Sequence, residues 1–330
     1  MRIYVCAHVD DLMAIGKPEA LGQFESEIKK VYDITVQRGL KHSYIGLDIT
    51  QSRHNSNIVV SQKGFHKELI NKYSEDIKGT KSYKVPCDAS ITEDPPEGSE
   101  NFSKERYAGA VMSLMWLSRL TRCDIAFAVN VCSRRCRAPT RWCWQHVLRV
   151  LAYLKQTGVY GIIYERKPNP LFTISCDASH GIYPSGRGHQ MVVLTWGSGV
   201  VATYSRVMRL MTLSSTESEH VAVNDGCTLG IHADHMATEM GLKSNGKIII
   251  YQDNTSAIWL TANEGNFIKN RHVKIRRNFV KEQVIKGKVL VLYQRSEDMV
   301  ADIGTKPVSS TILNKHMDTL NMVRFRTQVN

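Results

Sequence analysis

Acidic side chains matter most where an apolar strand would otherwise bury them, because an unpaired charge is costly there. Asp177 ends the apolar run Leu171-Phe172-Thr173-Ile174-Ser175-Cys176, and Asp253 ends Ile248-Ile249-Ile250-Tyr251-Gln252. Two strands of one sheet, each ending in Asp, can bring two carboxylates to one edge. Hard oxygen donors, few in number, with water and a substrate phosphate completing the shell, suit Mg²⁺. The competing reading of Asp253 is a helix N-cap, since Asn254-Thr255-Ser256 follows it. A third acid comes from the long helical pattern at 216–241. At 100° per residue, Ala222, Val223, Gly226, Gly230, Ala233 and Ala237 all fall within about 60° of Glu219. A stripe of small residues lets a helix press closely onto a sheet, and Glu219 stands at its start. Glu217 points about 160° away and reads as solvated or capping, behind an N-cap in Ser214-Ser215-Thr216. A fourth candidate is Asp302, flanked by Val300, Ala301 and Ile303. Glu297 and Asp298 merely suit a helix's first turn.

Elements must position these acids. Strands are expected at 2–9, near 33–37, 43–50 and 57–61, with helices at 18–32 and 63–75. Residues 80–104 hold Pro86, Pro95, Pro96 and Gly98 among Asp, Glu, Ser and Thr, and read as a linker or long surface loop. Three helices follow, at about 105–120, 124–136 and from Pro139-Thr140 to Gly158, suggesting a small bundle. From about 160 strands return, at 160–165, 169–177, 189–197 and 200–206. Then come the long helix, a strand at 247–251, helices at 254–263 and 271–286, a strand at 288–293 and a short helix at about 297–305. The fold class is α/β (α+β).

The chain has 330 residues, 42% of them apolar and 22% charged, as in ordinary globular proteins. Long-range disorder, collagen and a disulfide miniprotein are excluded. No apolar run reaches the ~18–20 residues of a membrane helix, so no membrane partner is expected. Met1 leads directly into Arg2-Ile3-Tyr4-Val5, without the pattern of a signal peptide. Lys and Arg number 43 against 31 Asp and Glu, a net charge of +12. That excess suggests a polyanionic partner, nucleic acid first; a basic surface kept for solubility is the alternative. Eight scattered Cys without a CxxC pair read as buried small residues in a reducing compartment. His232 and His235 lack a third ligand and read as a surface pair.

Four segments occur in order: Asp177-Ala178-Ser179-His180, Leu213-Ser214-Ser215-Thr216-Glu217-Ser218-Glu219-His220, Asp253-Asn254-Thr255-Ser256-Ala257-Ile258 and Ala301-Asp302-Ile303-Gly304-Thr305-Lys306-Pro307. With them the chain resembles the C-terminal part of a copia-type retrotransposon Pol polyprotein. Val9-Asp10-Asp11-Leu12 is similar to the reverse-transcriptase palm signature. Tyr44 to Ile49, and Arg122-Cys123-Asp124-Ile125-Ala126-Phe127 onward, are similar to segments that follow it. The resemblance implies a partial palm at 1–80, a linker at 81–104, a helical thumb at 105–158 and a ribonuclease H-like mixed sheet flanked by helices at 159–330. It implies a ribonuclease H-type endonuclease, with Asp177, Glu219, Asp253 and Asp302 holding two Mg²⁺, or Mn²⁺ as substitute, and hydrolysing RNA in an RNA–DNA hybrid. The basic helix with Arg271, Lys274, Arg276 and Arg277 would track phosphates; an ordinary solvated face is the alternative. Asp10 and Asp11 would be two of three palm metal ligands. The third acid and the fingers lie upstream in the family, so this chain alone is expected not to polymerise DNA. Upstream Pol segments (fingers, integrase) would be partners in the intact element, whose product would be cytoplasmic, in a virus-like particle, or nuclear. Ser179-His180 replaces a family aromatic and Lys274 a family acid. Such drift admits a second reading, a catalytically inactive nucleic-acid-binding relic.

Overall fold

The computed structural model describes residues 2–52, 56–242, 246–262 and 271–325, leaving aside the side chains of 262 and 271–273. Its first element is a hairpin, β1 (Ile3–His8) and β2 (Asp11–Gly16), turned by Val9-Asp10. Helix α1 (Pro18–Lys29) follows, with Pro at its start where the missing N–H costs nothing. No strand forms at 33–37. Strands β3 (Lys41–Tyr44), β4 (Leu47–Gln51) and β5 (Ile58–Ser61) form an antiparallel meander, then α2 (Lys63–Lys72). Helices α3 (Lys104–Leu120), α4 (Ala126–Ser133) and α5 (Arg141–Thr157) come next.

Strand β6 (Tyr160–Tyr164) pairs with β5. Strands β7 (Phe172–Ser179), β8 (His189–Trp196) and β9 (Gly199–Val207) make a second antiparallel meander. The long α6 (Ser215–Glu239) leads to β10 (Ile248–Gln252), which runs parallel to β7. Helices α7 (Thr255–Ala262) and α8 (Arg271–Ile285) lead to β11 (Val289–Tyr293), parallel to β10. A 3-10 turn, Val300–Gly304, precedes α9 (Ser310–Thr319) and β12 (Met322–Arg324), which pairs with β6. One sheet is therefore ordered β11-β10-β7-β8-β9 and another β12-β6-β5-β4-β3. The first is a mixed sheet with helices on both faces, the expected fold class. Among the described residues no helix is long and apolar enough to cross a membrane.

Side chains alternate across a strand, and β8 shows what that does here. Its Val192 and Leu194 enter a core with Ile174 and Cys176 of β7, Ala222 and Val223 of α6, Ile250 of β10 and Val280 of α8. Its Met191 and Val193 enter a second core, with Leu114 of α3, Val129 of α4, Val147 and Leu151 of α5, and Val300 and Ile303. A strand buried on both faces reads as a continuous apolar run rather than an alternating one.

Two expectations shift. Tyr160–Tyr164 joins the sheet of β3–β5 rather than that of β7. The segment 81–104 is no free linker: Cys87 and Ile91 are buried, and Phe102 stacks on Trp144 at 4.6 Å. A few apolar residues spaced among turn formers suffice to anchor a loop whose average composition is polar.

The helical region is tied together by a buried ion pair. Arg122 donates from Nε and Nη2 to the two Asp124 oxygens, at 2.9 and 2.8 Å. Its Nη1 reaches Gly158 O at 2.9 Å and Nη2 reaches Thr157 Oγ1 at 3.0 Å, while Tyr153 donates to Asp124 Oδ2 at 2.8 Å. Every polar side-chain atom of the pair thus has a partner, several of them at the end of α5. Arg122→Met strands a buried carboxylate and should cost about 3–5 kcal/mol in denaturant unfolding, whereas Arg122→Met with Asp124→Leu should cost much less. A single variant no worse than the double would contradict this account.

Candidate metal centre

Asp177 lies near the C-terminal end of β7, buried, directly opposite Met191 of β8. Ile249, Ile250 and Tyr251 of β10 pair with Thr173, Ile174 and Ser175. Continued two residues, that register sets Asp253 level with Asp177. Parallel neighbouring strands thus deliver the two carboxylates to one edge.

Glu219 arrives from α6, which sits very close to the sheet. A Cβ on Gly226 would fall 2.4 Å from Cys176 Sγ, and one on Gly230 would fall 2.5 Å from Ile174 Cδ1. No side chain larger than hydrogen fits there without moving the helix. Glu217 serves the helix end instead. Its Oε2 accepts from Leu213 N at 2.8 Å while Ser214 Oγ accepts from Glu217 N at 3.2 Å, a reciprocal cap. Asn254, not Asp253, caps α7, its Oδ1 accepting from Ala257 N at 2.9 Å. Asp253 is left to face the other acids, and Ser296 Oγ donates to its Oδ2 at 2.7 Å.

Asp177, Glu219 and Asp253 each offer an oxygen within 4.8 Å of the others. Asp302 stands beside Asp177, close enough to act on its ionisation, yet outside that trio. Its Oδ1 accepts from Lys306 Nζ at 2.9 Å. Three groups not singled out by sequence complete the setting. Fully buried Gln252 donates from Nε2 to Glu219 Oε2 at 3.2 Å, and its Oε1 accepts from the Asp253 and Asn254 amides at 2.7 and 3.0 Å. Buried Thr305 donates to Asp177 Oδ2. Lys306 supplies a positive charge. Gln252 was detectable as the one polar residue at the inward positions 248, 250 and 252; Lys306 was detectable as the base four residues after Asp302.

These partners do not neutralise the cluster. Burial, and then Asp302, push the Asp177 carboxyl up to about 7. Burial, then Asp177 and Asp253, push Glu219 up to about 10. Burial opposes charge on Lys306, but Asp177 and Asp302 hold it above its ordinary value. Clustered, charge-deficient carboxylates of this kind are the donor set of a hard divalent cation such as Mg²⁺ or Mn²⁺.

The other expected positions fare differently. Asp10 and Asp11 sit exposed at the β1–β2 turn, and no third acid joins them among the described residues. Lys274 is exposed and Arg276 half-buried on α8. Arg277 does not face solvent: it is 4% exposed, and its Nε donates to Leu260 O at 3.1 Å, at the end of α7. Its side chain is drawn into the fold at the end of α7 rather than presented to a polyanion. The side chains of Arg271 and His272 lie outside the described residues. His232 and His235 are exposed.

No family model matches the chain. Over 319 residues, 93% of this chain, it is 25% identical to the retrovirus-related Pol polyprotein from transposon TNT 1-94 of Nicotiana tabacum. Over 98% of its length it is 25% identical to that from transposon RE1 of Arabidopsis thaliana. It spans 23% and 22% of those two relatives' lengths. A foamy viral protease-reverse transcriptase, solved in complex with an RNA/DNA hybrid, aligns over 88% of this chain and 36% of its own, with 10% identity and a TM-score of 0.47. Over nearly its whole length the chain is thus similar to retrovirus-related Pol polyproteins of transposons. The acid cluster lies where β7 and β10 of the mixed sheet end and α6 begins.

Raised carboxyl pKa values carry a sign. The folded chain keeps a proton on Asp177 that the unfolded chain gives up, so this group's stabilising contribution is present below its ordinary value of 3.8 and is lost as pH rises to about 7. Relative to Asp177→Asn, the metal-free protein should therefore lose stability across that range. Added Mg²⁺ should raise the melting temperature, and by more at about pH 8 than at about pH 6, since bound ligands must be deprotonated. A metal increment independent of pH would refute this.

Proposed function

We propose that the mixed-sheet unit hydrolyses the RNA strand of RNA–DNA hybrids at this acid cluster. The observation that carries the reading is the convergence of Asp177, Glu219 and Asp253, from two strands and a helix, into a space of cation size. Asp177, Glu219, Asp253 and Asp302 would hold two Mg²⁺, with Mn²⁺ as substitute. When bound, such a pair lowers the pKa of an attacking water and stabilises the leaving 3′-oxygen. Gln252 and Thr305 keep Glu219 and Asp177 aimed inward. Lys306 holds Asp302 and offsets part of the cluster's charge until the ligands are engaged. Products would carry 5′-phosphate and 3′-hydroxyl ends. Recognition of RNA would use 2′-hydroxyls across a shallow minor groove. The exposed Lys274, the half-buried Arg276 and the net charge of +12 favour a polyanion.

In the same reading, residues 1–80 are the end of a polymerase palm and 105–158 its thumb. Asp10 and Asp11, exposed and without a third acid among the described residues, leave polymerisation outside this proposal. One observation favours the second reading, an inactive nucleic-acid-binding relic: the fourth acid, Asp302, is already paired with Lys306.

The test is cleavage of an end-labelled RNA–DNA hybrid by the full chain with Mg²⁺. The wild-type protein should cut the RNA strand, and Asp177→Asn should be slower by roughly a hundredfold or more, which is about 2.7 kcal/mol of barrier. Equal cleavage by both chains would show that the cluster does not do the chemistry. Hybrid binding without cleavage by either would establish the relic.

A further inference from the structure

A chain of three hydrogen bonds runs beneath the turn that carries Asp302. The Tyr183 hydroxyl lies 2.7 Å from His189 Nδ1, His189 Nε2 lies 2.6 Å from Ser205 Oγ, and Ser205 Oγ donates to Gly304 O at 2.7 Å. The last link sets the direction of all of them. A carbonyl oxygen only accepts, so the single Ser205 proton goes to Gly304. Ser205 Oγ must then accept from His189 Nε2, which carries the ring proton. Nδ1 is bare and accepts from the Tyr183 hydroxyl. Burial presses His189 down to about 3, so the ring is neutral and has one defined tautomer. Its surroundings agree: His189 is fully buried, with Phe127 edge-on at 4.9 Å. Arg134 lies over the Tyr183 ring, 4.0 Å from its centre, and is the one charged group acting on His189 among the described residues.

Where the relay ends gives it a role. Ser205 pairs with Met191, and Met191 with Asp177, so the three form one row across β9, β8 and β7. The turn Val300–Gly304 lies over that row: a Cβ on Gly304 would fall 1.7 Å from Met191 Sδ. Ser205 fastens the turn at Gly304 O, and Thr305 fastens the next residue to Asp177 Oδ2. The turn is held at both ends of one row.

We propose that His189 and Ser205 are positioning residues of the acid cluster: their one-way relay sets the seat of the 300–304 turn, and with it the placing of Asp302, Thr305 and Lys306 against Asp177. This deepens the reading of the cluster as a metal centre and rests on it. The ligands themselves are untouched by the relay, so its effect is on how tightly the centre closes around a cation. Outer groups of this kind typically govern 10–100-fold in metal affinity.

The experiment uses the full chain and Mn²⁺ alone, without nucleic acid. Ser205→Ala removes the donor to Gly304; Ser205→Thr keeps a hydroxyl. Calorimetry should show Mn²⁺ binding roughly tenfold weaker in Ser205→Ala, at the low end for an outer-shell partner, and near wild type in Ser205→Thr. Amide exchange at Asp302 and Thr305, measured without metal, should quicken in Ser205→Ala and not in Ser205→Thr. Nitrogen NMR of His189 should show the proton on Nε2. Tyr183→Phe, which deletes only the first donor, serves if Ser205→Ala does not fold, and should quicken the same amides by less. A proton on Nδ1, or Mn²⁺ affinity and exchange unchanged in Ser205→Ala, overturns the relay. If wild type fails to cleave hybrid while the Mn²⁺ and exchange effects hold, the nuclease reading falls and the relay stands.

Discussion

Like charges brought together out of water are what this structure must manage. Asp177 and Glu219 are both buried, and Asp253 faces them from the next strand. Hydrogen bonds from Thr305, Gln252 and Ser296 orient the carboxylates but carry no net charge. Lys306 brings one positive charge and directs it to Asp302. Burial first, and the neighbouring acids next, hold the carboxyls of Asp177 and Glu219 far above their ordinary range, so the rest of the balance comes from protons or from a cation. A fold that keeps such a group together without a cation does so at a cost in stability, offset by the two apolar cores that meet at β8.

The geometry of the trio depends on how closely α6 can lie on the sheet. Interiors are packed densely enough that one extra methyl at Gly226 or Gly230 would displace Cys176 or Ile174. Lifting the helix would withdraw Glu219 from Asp177 without changing any carboxylate. Two glycines, further along the helix from Glu219, are thereby as much a part of the centre as the carboxylates. The apolar residues around them, Ile174, Val192 and Ile248, are structural only in the sense that they fix this distance.

Local patterns in the sequence revealed much of this, because strand ends, helix faces and small-residue stripes are local. The order of the acids, the side of α6 that holds Glu219 and the strand-end position of Asp253 all follow from spacing. The choice between ligand and cap for Asp253 did not, since Asn254 could also cap and only geometry shows that it does. Pairing between distant segments was equally hidden. Ile162 pairs with both Val60 and Met322, joining strands far apart in the chain, and nothing in the five residues of β6 announces those neighbours. Strand β12 went unread for that reason. Composition grouped Arg277 with the other bases of its helix, and only the packing of α8 against α7 shows that its side chain is buried. In 81–104 average polarity masked Cys87 and Ile91, which are enough to bind the segment to the helical core.

The placing of Asp302 shows why the helical region and the mixed sheet are hard to regard as separable. Val300, Ala301 and Ile303 flank it, and all three belong to the core built by α3, α4 and α5. Met299, Leu313 and Met317 extend the same cluster from either side of the turn. The fourth acid is therefore held from below by residues of the helices and from the side by Ser205 and Met191 of the sheet. Asp177, by contrast, is positioned by its strand and register. The cluster is thus assembled from two bodies of packing, one supplying the trio and the other supplying Asp302. The turn between Val300 and Lys306 is the joint at which a change in either would be felt by the acid cluster.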